Sequence, residues 1–180
     1  MKWRNSPTQY GWLPAGLHWF VLFLLAAVYA SMELRDFYPK GSSMREAMKT
    51  WHYMLGISTL ALTALRLAVY FMGPAPAISP APAQWQATAA KSMKAALYVF
   101  MLGMPILGCL LLSAKGTPIP FFGLHLPALL NESKALARVL KEIHETGATV
   151  GYVLIGVHAS AALYHHYLLR DDTLRRMLPK

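Results

Sequence analysis

The sequence predicts an all-α integral membrane protein built as a four-helix bundle. Three observations predict it. Of the 180 residues, 56% are hydrophobic and only 14% are charged, where a soluble domain carries roughly 25% charged residues. The apolar residues gather into four runs, each near the roughly 20 residues that take a helix across a bilayer core. The cations lie mostly between these runs, so the net charge of +9 reads as flanks of membrane spans and not as a basic stripe for nucleic acid. Membrane lipid is therefore an expected partner and nucleic acid is not. A single cysteine, Cys109, excludes an intramolecular disulfide framework, a Cys-rich zinc site and covalent c-type haem attachment.

The whole chain, 1–180, reads as one domain with spans at about 13–32, 50–72, 94–113 and 141–169. The fourth would measure roughly 43 Å at 1.5 Å per residue, so it must tilt or extend past the hydrocarbon. Lys2 and Arg4 ahead of the first run, with Val28-Tyr29-Ala30 after it, have the outline of a signal peptide. The run has the length of a true span and three more follow, so a retained helix is expected.

With four spans both termini share one side. That side holds nine cations and two acids, the other eight cations and six acids, and this slight bias favours cytoplasmic termini. Gly73 to Gln84 contains Pro74, Pro76, Pro80 and Pro82 and reads as an extended spacer. Gly116 to Leu129 reads as a loop with the aromatic pair Phe121-Phe122, and Asn131 to Leu140 as an amphipathic helical lead-in to span four.

Strongly polar side chains inside a span are costly without partners, which makes function their first reading. His18 lies in span one, His52 opens span two, and His144 and His158 lie in span four. His144 and His158 are 14 residues apart, so they share a helix face at levels about 21 Å apart. Chain direction then decides the pairing. Span one enters from the terminal side and puts His18 near that surface, whereas span two enters from the other and puts His52 there. Span four runs back toward the terminal side, so His144 is level with His52 and His158 with His18.

Two ligands at each of two levels suit a flat macrocycle between neutral imidazoles better than zinc, which wants four ligands at one point. Gly56, Gly147 and Gly151 offer room for such a ring. Coordination by two histidines fills both axial positions of a haem iron and favours electron transfer over oxygen binding. The competing reading is four histidines that only hydrogen-bond across the bundle. His165, one heptad beyond His158, is an alternative ligand; His125 and His166 read as solvated surface residues. Arg66 sits 14 residues after His52, at the level of the other pair, where it would neutralise a haem propionate, hold a quinone carbonyl, or snorkel to the interface. Span three carries Gly103, Pro105, Gly108 and Cys109 without a histidine and is assigned to packing.

Several motifs together resemble the bacterial cytochrome b561 family of four-helix dihaem membrane proteins. They are Leu17-His18-Trp19, Met32-Glu33-Leu34-Arg35 with Pro39, His52 with Gly56, Arg66, and Phe122-Gly123-Leu124 with Pro127. Further along come His144-Glu145-Thr146, Gly156-Val157-His158-Ala159, and His165-His166-Tyr167 followed by Asp172, Thr173, Leu174, Arg176, Met177 and Pro179. The resemblance implies two non-covalent b-type haems on His18, His52, His144 and His158 in the bacterial inner membrane. It also implies an oxidoreductase that takes electrons from superoxide on the periplasmic side and passes them to ubiquinone, with no protein partner required. Reducing a quinone takes two protons as well, and His165 is the catalytic candidate to supply them, with Tyr164 and Arg66 placed to orient the carbonyl. The rival readings are an electron-carrier subunit serving a dehydrogenase or hydrogenase, and a transporter relaying protons through its span histidines. The absence of acids deep in any span counts against the transporter.

Overall fold

The computed structural model describes residues 3–178; Lys2, Pro179 and Lys180, counted above, lie outside the described residues. Four helices dominate it: α1 (Trp12–Arg35), α2 (Ser43–Tyr70), α3 (Gln84–Ala114) and α4 (Lys134–Tyr167). All four are long and apolar enough to cross a membrane. Large apolar side chains on them face outward, including Phe20, Phe23, Val99 and Val153. That is inverted relative to a soluble core and is what a lipid solvent requires.

Local chemistry sets the helix ends. The Ser42 hydroxyl caps α2 by accepting from the Arg45 amide, and Ser133 caps α4 by accepting from Leu136, each satisfying a free N–H of the first turn. The helices extend past the apolar runs. Helix α3 begins at Gln84 instead of 94, and α4 begins at Lys134, which fuses the expected lead-in and span into one helix of 34 residues. Amphipathic first turns lengthen a helix beyond the hydrocarbon without extending the unbroken apolar run. Met72, Leu168 and Leu169, placed inside spans by the sequence, lie beyond the ends of α2 and α4.

Neighbouring helices pack in chain order, α1 on α2, α2 on α3 and α3 on α4. Helices α1 and α4 meet mainly through side chains. The Tyr29 hydroxyl donates to the Ala148 carbonyl (2.8 Å), the Tyr152 hydroxyl donates to the Glu33 carboxylate (2.8 Å), and the two tyrosine rings lie 4.3 Å apart. On the non-terminal side a small core of Ala114, Ala137 and Leu140, with Leu107, Leu110, Leu111 and Leu130 around it, ties α3 to α4.

The loop after α3 contains a hairpin that the sequence reading did not anticipate. Strands β1 (Ile119–Phe121) and β2 (Leu124–Leu126) pair antiparallel, turning through Phe122 at φ 45° and Gly123 at φ 85°. Two consecutive positive φ values are the requirement of a tight two-residue hairpin turn. Ile119 is buried and Phe122 stacks edge-on to Trp51 of α2 (6.4 Å), which anchors the hairpin over that end of the bundle.

The Pro-rich segment is more than a spacer. On the terminal side it is clamped between the N-terminal and C-terminal segments. Ala77 donates to the Pro7 carbonyl, Asn5 to Pro74, Asp172 N–H to Ser79, and the Ser79 amide to the Asp172 carboxylate. The buried Arg176 guanidinium donates to the Pro76 carbonyl, Tyr10 N–H to the Arg176 carbonyl, and Trp19 Nε1 to Met177 (2.9 Å). Prolines have no N–H but keep their carbonyls, and those of Pro7, Pro74 and Pro76 are among the acceptors that fasten the cap.

Candidate functional site

The structure brings the four span histidines together in the two expected pairs. His52 and His144 have ring centres 6.2 Å apart, with planes at 82°. His18 and His158 have ring centres 6.3 Å apart, with planes at 74°. His165 is not beside His18; His158 is. Two imidazoles sharing one metal, at about 2.0–2.1 Å per nitrogen plus about 1.1 Å to each ring centre, stand about 6.2–6.4 Å apart. Both pairs have a ring spacing compatible with a single iron between them.

At the His52 level the hydrogen bonding also fits. His52 Nδ1 donates to the Val28 carbonyl (3.1 Å), with Ser31 Oγ at 3.5 Å, which fixes the ring proton on Nδ1 and leaves Nε2 free for a metal. Gly56, one turn further on, has open space where a Cβ would stand, while a Cβ on Gly108 of α3 would touch His144 Cε1 at 3.4 Å. His144 Nδ1 is buried and has no partner among the described residues.

At the His18 level Arg66 arrives as its spacing predicts, but it points at the histidine. Its Nη2 donates to His18 Nδ1 at 2.8 Å, and its guanidinium lies 5.8 Å from the Tyr98 ring centre. A guanidinium only donates, so His18 Nδ1 accepts and its ring proton sits on Nε2. Neutral ligation through Nε2 therefore requires Arg66 to release Nδ1, as it would for an anionic carboxylate nearby.

Two of the three glycines assigned to ring space do another job. A Cβ on Gly151 would collide with the Tyr29 hydroxyl and the Phe100 ring, and one on Gly147 would stand 2.6 Å from Met104 Sδ. These are close approaches between helices, and of the three only Gly56 opens onto free space. His125 is exposed on β2 as expected. His166 is half-buried, with a buried Nδ1 that has no partner among the described residues, which corrects its reading as a solvated side chain; the next turns of chain fold back over the end of α4.

The sequence reading missed three participants. Thr59 and Thr63 are both buried, and with His52, Gly56 and Arg66 they form one polar stripe down α2; the Thr63 hydroxyl has no partner among the described residues. Their spacing of 7 and 11 residues after His52 was a signal that could have found them. Asp171, counted only as a charge, hydrogen-bonds His165 Nδ1 at 2.5 Å. No cluster of three or more potential metal-ligating side chains occurs among the described residues.

A family model described as prokaryotic cytochrome b561 matches residues 9–180. The chain belongs to the prokaryotic cytochrome b561 family. Among similar proteins is "Cytochrome b561 homolog 1" of Escherichia coli (strain K12), 41% identical over 91% of this chain and 93% of that protein. "Probable superoxide oxidase CybB" of Yersinia pestis is 37% identical over 96% of this chain and 97% of its own. "Cytochrome b561 homolog 2" of Escherichia coli (strain K12) is 29% identical over 100% and 96%. Membership makes the bundle a multi-pass bacterial membrane protein that binds b-type haem and transfers electrons, and the paired histidines are residues that could hold such a group.

Proposed function

We propose that this cytochrome b561 holds two b haems, one between His52 and His144 and one between His18 and His158, and oxidises superoxide to oxygen while reducing ubiquinone. The observation that carries the reading is the spacing of the two imidazole pairs, 6.2 and 6.3 Å. A haem bound there would supply reversible one-electron transfer, with His52 and His144, or His18 and His158, as the residues that would hold it.

The residues do the rest. The Val28 carbonyl holds the His52 ring in its ligating tautomer. Arg66 supplies a cation at the His18 level, suited to a propionate or a quinone carbonyl. On the non-terminal side, Arg35 and Arg45 pair with Asp36, Lys49 with Glu46, and Lys141 with Glu145. Lys40, Lys115, Lys134 and Arg138 make no ion pair among the described residues, and neither do Glu33, Glu132 and Glu142. Eight cations against six acids leave that face only a small positive excess with which to attract an anion such as superoxide. The relative named a probable superoxide oxidase supports this substrate. Near the other end, an exposed, mostly apolar stripe of α4 formed by Val153, Gly156, Val157, Ser160, Ala161 and Tyr164 ends one residue from His165, where an isoprenoid tail could lie along it. The termini are assigned to the cytoplasm and the protein to the inner membrane.

Stopped-flow mixing with a superoxide source tests the reading. Haem reduction should be rapid and abolished by superoxide dismutase. Reduction at the same slow rate with and without dismutase would favour a quinone-linked subunit that serves a partner dehydrogenase or hydrogenase.

A further inference from the structure

The terminal-side cap delivers one carboxylate to the end of α4. Helix α4 stops at Tyr167, and Arg170 takes φ 54°, a left-handed conformation that turns the chain back on itself. The turn is closed by Asp171 N–H donating to the His165 carbonyl (3.1 Å). Asp171 is thereby buried, 5% exposed, with both oxygens engaged. Oδ2 takes His165 Nδ1 at 2.5 Å and Oδ1 takes the Thr173 amide at 2.8 Å. Beyond it, Asp172 and Arg176 fasten the segment to Ser79 and Pro76, so the carboxylate cannot swing away with a loose tail.

A buried carboxylate on one nitrogen of an imidazole has two consequences. It fixes the proton on Nδ1, leaving Nε2 as the nitrogen that takes and gives a proton, and it stabilises the imidazolium while the second proton is held. His165 Nε2 makes no hydrogen bond among the described residues. Burial alone would push the Asp171 carboxyl up, but the hydrogen bonds from His165 and Thr173 hold it below the usual carboxylate range, so it is anionic at neutral pH.

We propose that Asp171 is the positioning residue for His165: it holds the ring in the Nδ1–H form and pairs with the imidazolium, so that Nε2 passes protons from the terminal side to a quinone undergoing reduction. The inference rests on the quinone reading above. The chemistry balances: two superoxide anions give two electrons and become two oxygen molecules, two protons pass one at a time through His165, and one quinone becomes one quinol. Asp171 neither touches the quinone nor gives up its own charge.

The test uses the haem-loaded full chain in nanodiscs, reduced with stoichiometric dithionite and mixed with ubiquinone-1, with haem reoxidation followed over a range of quinone concentrations. Asp171→Asn keeps an acceptor for Thr173 but donates to His165 Nδ1, forcing the opposite tautomer. It should lower the limiting rate about tenfold or more, general acid–base catalysis being worth about 10²–10⁴, while the half-saturating quinone concentration stays within about twofold. Asp171→Glu should restore most of the rate, and His165→Gln combined with Asp171→Asn should be no slower than His165→Gln alone. Asp172→Asn loosens the same cap without touching His165 and should retain the rate. If Asp172→Asn slows the reaction as much as Asp171→Asn, the effect is loss of the cap and the proposal is overturned. A slow His165→Gln beside a normal Asp171→Asn also overturns it, while leaving the quinone reading in place. Normal rates in both variants would reject that reading as well.

Discussion

Replacing Gly151 by alanine should damage the packing of α1 against α4 more than any other single added methyl group at a helix glycine. The new Cβ would collide with the Tyr29 hydroxyl and the Phe100 ring. Moving Tyr29 aside sacrifices its 2.8 Å bond to the Ala148 carbonyl, about 0.5–1.5 kcal/mol, and overpacking adds about 1–3 kcal/mol. The alanine recovers about 1 kcal/mol of helix propensity over glycine. The net cost is therefore about 0.5–3.5 kcal/mol, read as a lower thermal midpoint for loss of haem absorbance in detergent. Gly103→Ala, which meets open space on α3, is the matched control and should be neutral or slightly stabilising. Tyr29→Ala should relieve part of the clash, so the double variant should be less destabilised than the sum of the two singles. Equal midpoints for Gly151→Ala and Gly103→Ala would refute the view that Gly151 is a packing glycine.

Two further outcomes follow from the cap and from Arg66. Asp171 has a lowered folded pKa, so its stabilisation of the cap is complete above the unfolded value of about 3.9 and is lost as pH falls through the lower folded value. Hydrogen-exchange protection of residues 171–178 should thus hold from neutral pH down to about pH 5 and collapse only in stronger acid, and an earlier collapse, near pH 6, would contradict the assignment. Arg66→Leu removes a cation beside His18; one charge at about 7–10 Å and an effective dielectric of 20 is worth about 1.7–2.4 kcal/mol. One haem potential should fall by about 70–100 mV in a redox titration, and unchanged potentials would place Arg66 outside the haem's field.

The bundle and the histidine pairing were legible in the sequence because both follow from strong, simple constraints. A span needs about 20 apolar residues, and a chain that crosses four times fixes which histidines share a depth. His18 meets His158, and His52 meets His144, for that reason alone. What was hidden depended on tertiary contacts. Asp171 lies outside any periodic element and reaches His165 only through the left-handed turn at Arg170. The hairpin's strands are three residues each, and its turn puts Phe122, a residue rarely chosen there, at positive φ. Gly147 and Gly151 looked like room for a ring because composition cannot show what lies opposite a glycine. The extra turns of α3 and α4 mix polar residues such as Gln84, Gln86, Lys134 and Arg138 with apolar ones, so the unbroken apolar run stopped short of where the helix begins.

The central claim is that imidazoles from α1, α2 and α4 hold a haem at each of two depths, and haem stoichiometry by pyridine haemochrome tests it most directly. The account predicts about two b haems per chain in the wild type and about one in either His52→Ala or His18→Ala, with the remaining haem still low-spin. Two haems retained in either variant, or one haem unaffected by both, would contradict it.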